Sequence, residues 1–135
     1  MTAATTPPTD AAKGTHVPKA AALAGLADAA LVSVFATIGR ASHEHGLSVV
    51  GVAQTALPFL TGTALGWVVC LAMRRRAPLS VGDGLVVWIG TLVGGMILRA
   101  ATGQGTAVSF IVVAGVVTGA FLLGWRALAG RLRRR

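Results

Sequence analysis

The sequence is poor in the residues on which most enzymes and nucleic-acid-binding proteins depend. Only 12% of its 135 residues are charged, four residues are acidic, and tyrosine is absent. The single cysteine, Cys70, excludes an intrachain disulfide framework. Because aromatic residues are scarce, no base-stacking platform is predicted and nucleic acid is not an expected partner. No GxSxG, HExxH or GxxxxGKS/T pattern occurs, so no catalytic residue, and likewise no cofactor, is predicted.

Apolar residues dominate instead, at 54% of the chain, with a mean hydropathy of +0.74. A soluble domain of this size has too much surface to enclose so many apolar side chains, so lipid is the expected environment. Four apolar runs approach or exceed the ~20 residues that a helix needs to cross a bilayer. They cover about residues 20–39, 48–73, 81–98 and 107–125. The predicted fold is therefore all-α, a four-transmembrane-helix bundle with short loops and antiparallel neighbours.

The flanking segments are predicted to lie outside the bilayer. Residues 1–19 are small, polar and proline-containing, which is typical of a disordered tail, and residues 126–135 form a basic tail. No signal-peptide cleavage site is evident, so we expect the first span to remain as an uncleaved anchor.

The distribution of basic residues predicts the orientation of the chain. The net charge is +8, and ten basic residues fall on one side of the predicted spans against two on the other. The ten are Lys13, Lys19, Arg74, Arg75, Arg76, Arg126, Arg131, Arg133, Arg134 and Arg135, and the two are Arg40 and Arg99. Short cytoplasmic loops are rich in Lys and Arg, so both termini are expected in the cytoplasm, with the spans in the cell (inner or plasma) membrane. Trp67, Trp88 and Trp125 lie near the same side, as expected for interfacial indole rings.

Asp28 lies near the middle of the first predicted span, where an ionisable residue is costly. One interpretation is a proton or cation relay whose carboxyl group is kept neutral by desolvation. The other is a buried hydrogen-bonding acid that fixes helix packing. Thr61, Thr91 and Thr118 fall at similar depth on the other three spans and are its expected partners.

A second polar group is predicted at the outer ends of the helices. Arg40 and Arg99 end the first and third spans, and His43 follows in a short loop. Pro58 lacks the amide that would bond to the Gln54 carbonyl, so this oxygen needs another donor, and Arg99 is the expected one. Arg40, His43, Gln54 and Arg99 are therefore expected to converge on one outward-facing pocket that attracts a carboxylate or phosphate. In the alternative interpretation, each arginine points separately into the lipid headgroups.

The loop that holds His43, Glu44 and His45 has only a superficial likeness to a metal site. Zinc needs three or four ligands in a fixed geometry, and no other histidine or cysteine is expected on that side. No metal site is predicted. Glu44 is an internal candidate for the anion that the two arginines would attract.

Small residues suggest how the helices pack. Three pairs have the GxxxG spacing that lets two helix backbones approach: Gly62/Gly66, Gly90/Gly94 and Gly115/Gly119. With 18 glycines in the chain, several such pairs arise by chance, so we interpret them mainly as a consequence of composition. A clearer pattern is the face of the first helix formed by Gly25, Ala29, Ser33 and Thr37, which is predicted to pack against a neighbour.

Together, several of these residues resemble a prokaryotic membrane family, domain of unknown function 3054. The resemblance rests on Asp28, the stretches FATIGRASHEHG (35–46) and TALPFLTGTALGW (55–67), and Arg99, and it covers about residues 22–125. It implies a small four-helix membrane protein and brings no established activity. The residues it marks as important are Asp28, Arg40, His43, Pro58, Trp67 and Arg99.

Two classes of function remain open on this evidence, and a membrane-embedded enzyme acting on lipid is disfavoured for want of a nucleophile or metal set. The first class is a small transporter or channel-like component with an outward-facing polar pocket. The second is a membrane assembly or accessory protein that binds a partner through small-residue helix faces. The expected partners are the lipid bilayer and either a second copy of the chain or another membrane protein.

Overall fold

The computed structural model describes residues 18–42 and 46–135. Within these ranges most residues are helical and none is in a strand. Four helices follow one another along the chain: α1 (Lys19–Ala41), α2 (Val49–Arg74), α3 (Val81–Ala101) and α4 (Val108–Arg133). Each is long and apolar enough to cross a membrane, with a hydropathy between 1.8 and 2.2 over its most apolar window. The predicted all-α bundle of four apolar helices is confirmed.

Neighbouring helices run antiparallel, so the bundle has two chemically different ends. The basic end holds the start of α1, residues 74–80 and the end of α4. Arg126 of α4 joins them, because it donates to Asp28 of α1 and to the Pro78 carbonyl. The opposite end, called the far end, holds Arg40 and Arg99.

The last helix extends well past Trp125, where the fourth span was predicted to end. It remains helical to Arg133, and Arg126, assigned from the sequence to a basic tail, is a buried residue of α4. Arg126 follows Leu122 and Thr118 at intervals of four residues, which places all three on the buried face of one helix.

The turn between α2 and α3 is fixed by one buried acid. Ser80 caps α3 by accepting a hydrogen bond from the Asp83 amide at 3.1 Å, and its hydroxyl donates to the Asp83 carboxylate at 2.8 Å. Arg74 and Arg76 also bind this carboxylate, Arg76 at 3.2 Å. Two of the three consecutive arginines in the turn are therefore paired.

The closest helix contact joins α2 and α3, and it is built from two of the GxxxG pairs. A Cβ atom at Gly62 would lie 2.5 Å from the Gly90 carbonyl oxygen, and one at Gly66 would lie 2.7 Å from Val87 Cα. One at Gly94 would lie 3.0 Å from Gly62 Cα. For these two pairs the sequence interpretation that they mainly reflect composition is wrong, because a side chain at Gly62 or Gly66 would collide with the backbone of α3.

The helix α3 is irregular at the same crossing. Residues Gly90–Gly94 form a π-helical turn between the α-helical parts Val81–Ile89 and Gly95–Ala101. Thr91, within this π-helical turn, shares a buried hydrogen bond of 2.8 Å with Thr63 of α2, hydroxyl to hydroxyl. Single π-turns inside α-helices often occur at functional sites.

Three phenylalanines fill the far half of the bundle. Phe35 meets Phe59 edge to face with ring centroids 5.2 Å apart, and Phe110 lies 6.1 Å from Phe59. Large aliphatic side chains point outward on all four helices, as expected for a surface solvated by lipid. Among the described residues, the ion pairs lie toward the basic end, Arg40 and Arg99 lie at the far end, and a threonine pair joins α2 and α3 between them.

Candidate functional site

A polar cavity of about 640 Å³ opens at the far end of the bundle. Its wall comes from the end of α1, the first turns of α2, the end of α3 and the turn before α4. The lining residues are Arg40, Gln54, Thr55, Leu57, Pro58, Thr61, Leu98, Thr102 and Gln104. A second cavity of about 280 Å³ shares Arg40, Thr55 and Gln104 with the first and adds Arg99. The structure therefore places four of the predicted residues, Arg40, Gln54, Pro58 and Arg99, around two adjoining cavities.

Arg99 is held by the turn that precedes α4. Its Nη1 donates to the Gln104 side-chain oxygen at 2.9 Å, and its Nε and Nη2 donate to the Gly105 carbonyl at 3.2 and 2.8 Å. The guanidinium carbon lies 4.3 Å from the centroid of the Phe110 ring, which is cation–π geometry. The cation is therefore fixed in direction rather than free to reach for the headgroups.

The Gln54 carbonyl, left without a helical donor by Pro58, accepts a hydrogen bond from Gln104 Nε2 at 3.3 Å. The prediction that Arg99 supplies this donor is therefore wrong. The arginine binds the other end of the same amide, so Gln104 links Arg99 to Gln54. Sequence reasoning missed Gln104, because the bond is made to the Gln54 backbone oxygen and no pattern in the sequence pointed to its donor.

Arg40 lies half-buried beside the start of α2. Its guanidinium group occupies the space that a side chain at Gly51 would need, so glycine at this position admits the arginine. Arg40 Nε is buried and has no hydrogen-bond partner among the residues that the structure describes. His43, predicted to complete the pocket, lies outside the described residues, as does Glu44.

Asp28 forms a different site at the basic end, an ion pair with Arg126 in which both side chains are buried. Arg126 Nη1 and Nη2 donate to the two carboxylate oxygens at 2.8 and 2.7 Å. The indole nitrogens of Trp67 and Trp125 donate to the same two oxygens, each at 2.8 Å. The carboxylate thus binds groups from α2 and α4 and joins them to α1. This four-residue group is called the Asp28 cluster.

The threonines predicted to satisfy Asp28 do not contact it. Thr61 is exposed and donates to the Leu57 carbonyl, while Thr118 donates to the carbonyl of Ala114. Thr91 bonds to Thr63 across the α2–α3 crossing. The prediction failed because the charged partner, Arg126, lies one residue beyond the expected fourth span and was assigned to the solvent.

The remaining Arg126 donors are also satisfied within the bundle. Its Nε donates to the Pro78 carbonyl at 2.9 Å, and Nη1 also donates to the Leu122 carbonyl at 2.8 Å. Because every polar atom of the pair has partners, the geometry favours the interpretation of Asp28 as a packing residue over a relay. A relay needs an open path for the proton or cation, and the carboxylate has 1% exposure.

Metal ligation is not evident in the described ranges 18–42 and 46–135, where no group of three histidine, cysteine or acidic side chains is close enough to hold an ion. The loop with His43, Glu44 and His45 falls outside these ranges.

The fold and the two polar sites define a class, an all-α membrane protein of four apolar helices with a polar cavity at one end and a buried ion pair near the other. Within that class, residues 25–129 match the sequence profile of DUF3054, a protein family of unknown function, and the chain belongs to this family. No curated protein and no solved structure matches the chain.

Proposed function

We propose that this protein crosses the cell membrane four times and works as a small transporter component that binds an anionic group in the far-end cavities. The observation that carries the proposal is the placement of Arg40 and Arg99 around two adjoining cavities with Gln104 between them. A guanidinium group matches the geometry of carboxylate and phosphate oxygens, and it is most effective where little water competes.

The charge balance of the cavities supports an anionic ligand. Among the described lining residues there are two arginines, two glutamines and three threonines, and no acid. The acids that the structure describes are Asp28 and Asp83, and both are already paired at the basic end. Among the described residues, an anion bound between Arg40 and Arg99 would thus meet donors and no like charge.

The packing of the bundle supports cavities that open only at the far end. Phe35, Phe59 and Phe110 fill the bundle below the arginines, and the Asp28 cluster closes the opposite end. Transport would require α2 and α3 to slide past each other at their crossing. The glycine contact, which has no interlocking side chains, and the π-helical turn are suited to such a movement.

We propose that the far end faces outward and that both termini are cytoplasmic. Arg126 is buried in the Asp28 cluster and no longer counts as a loop charge. Nine basic residues of the original ten remain on the basic side, against Arg40 and Arg99. The excess is still large enough to set the orientation.

The proposal is tested by measuring binding and uptake with purified protein in liposomes of zwitterionic lipid. The probes are radiolabelled anions of increasing size, from acetate and inorganic phosphate to alkyl phosphates. Arg40→Gln and Arg99→Gln are each expected to weaken binding about tenfold or more, because each removes a charge-assisted hydrogen bond. The matched control is Arg131→Gln, which removes an exposed arginine from the basic end and should leave binding unchanged.

Thermal unfolding of each variant separates a lost site from a lost fold. If every anionic probe, with or without an alkyl chain, binds both folded variants as well as it binds the wild type, the proposal is wrong.

A groove between α1 and α2 supports the second class of function, an assembly protein. The groove has a volume of about 280 Å³ and is lined by Gly25, Ala29, Leu60, Thr63, Ala64 and Trp67, so the small-residue face of α1 is only partly covered by α2. In that case Ala29→Leu should release a co-purifying membrane partner and leave anion binding intact. A transporter should show the reverse sensitivity, to Arg99→Gln.

A further inference from the structure

An apolar groove adjoins the far-end cavities in the far half of the bundle. It lies between α1 and α4, has a volume of about 270 Å³, and is walled by Phe35, Ile38, Phe110, Val113 and Val117. None of the described residues that line it is charged. The Arg99 cavity and this groove share two wall residues, Gly39 and Phe110.

The two shared residues show that the groove and the cavity adjoin. A Cβ atom at Gly39 would meet no other atom within 4 Å, so no side chain crowds the backbone at the position that lines both. The Arg99 guanidinium carbon lies 4.3 Å from the centroid of the Phe110 ring, and Phe110 also lines the groove. The Arg99 guanidinium group and the apolar groove therefore both contact the Phe110 ring.

We infer that the ligand of the far-end cavities is a single-chain anionic amphiphile. Its carboxylate or phosphate head lies between Arg40 and Arg99, and its alkyl chain lies in the α1–α4 groove. The inference rests on the proposed function and names the class of ligand. Charge complementarity selects the head, and the apolar groove that adjoins the Arg99 cavity at Gly39 and Phe110 selects the chain. A single narrow groove accommodates one chain rather than two.

Binding of matched probes tests both parts of the ligand. The protein is placed in nanodiscs of zwitterionic lipid, and empty nanodiscs are subtracted to remove partitioning into lipid. The probes are dodecyl phosphate, inorganic phosphate and the cation dodecyltrimethylammonium. Dodecyl phosphate is expected to bind about tenfold or more tightly than inorganic phosphate, and the cation is expected not to bind above background.

Gly39→Leu tests the passage itself. The leucine side chain enters open space, so the fold is expected to survive while the route from cavity to groove is filled. Dodecyl phosphate binding should fall about tenfold or more and inorganic phosphate binding should not change. Gly124→Leu is the matched control, since a Cβ at this exposed glycine of α4 also meets no atom within 4 Å.

Photocrosslinking of the wild-type protein keeps the inference testable if Gly39→Leu does not fold. A dodecanoate carrying a terminal diazirine should label the groove residues of α1 and α4, such as Ile38 and Val113. Labels spread evenly over the lipid-facing residues of all four helices would overturn the inference.

The outcomes separate the inference from the function it rests on. If inorganic phosphate and dodecyl phosphate bind equally and Gly39→Leu affects neither, the amphiphile is wrong while anion binding stands. Equal binding of the alkyl cation also overturns it, since the groove would then accept any chain. If neither anion binds the wild type, both the inference and the proposed function fail.

Discussion

The Asp28–Arg126 pair should behave as a unit, and loss of one partner should be more harmful than loss of both. If Asp28 were only a hydrogen-bonding acid, Asp28→Asn would be tolerated, because an amide keeps polar partners. The structure changes that expectation. Asparagine would leave the Arg126 charge without its counter-ion in a site where the arginine side chain has 0% exposure.

The expected magnitude follows from this burial. Removing one member of a buried ion pair destabilises a protein by about 3–5 kcal/mol, because the remaining charge is uncompensated. We expect a loss of this size for Asp28→Asn and for Arg126→Gln. In the double variant both sites are neutral, and the two amides can still accept from Trp67 and Trp125. Its loss should be smaller than that of either single variant, which gives a coupling energy of about 3 kcal/mol or more.

Equilibrium unfolding in mixed micelles of dodecyl maltoside and dodecyl sulfate measures these differences. Helix content from circular dichroism reports the global transition. Tryptophan emission reports the Asp28 cluster, because two of the three tryptophans donate to the carboxylate. The control is Arg131→Gln, an exposed arginine on the same helix, and it should change stability by less than about 0.5 kcal/mol.

Additive effects would refute the reasoning. If the loss in the double variant equals the sum of the single losses within about 0.5 kcal/mol, the two side chains do not stabilise each other. Asp28→Lys should be worse than all of these, since it places two cations in contact with no acid between them.

Two further predictions concern topology and packing. Cysteines at Ser42 and Thr102 should react with an impermeant thiol reagent in intact cells, and a cysteine at Ala77 should react only after the membrane is opened; the reverse pattern would invert the proposed orientation. Gly62→Ala should lower the free energy of unfolding by about 1–3 kcal/mol, because the new methyl group would lie 2.5 Å from a carbonyl oxygen of α3. Gly124→Ala, which adds the same methyl group in open space, should have no such effect, and equal stability of the two variants would show that the helices separate freely at the glycine contact.

The helices were predictable because lipid imposes a simple rule on sequence. A run of about 20 apolar residues has few stable alternatives to a helix, and the four runs lie within the four helices apart from one residue at the start of the second run and one at the start of the fourth. The polar far end was predictable for a similar reason, because Arg40 and Arg99 end apolar runs at the same depth.

The pairing of polar groups was not predictable in this way, since it depends on which helix faces meet. Asp28 was matched to threonines by depth alone, and Arg126 was excluded because a charge after a tryptophan resembles the start of a tail. Gln104 was part of a short glycine turn with no feature that pointed to Arg99. The glycine pairs had the right spacing, but spacing cannot distinguish a helix contact from abundant glycine.

The Asp28–Arg126 pair also sets an order on synthesis. The two residues are 98 positions apart, so α1 leaves the ribosome long before its counter-ion exists. An aspartate at the centre of an isolated span costs about 2.5–3.5 kcal/mol on insertion scales. The glycine contact between α2 and α3 involves neither residue. A nascent chain therefore carries an unpaired aspartate in its first helix until Arg126 has been synthesised.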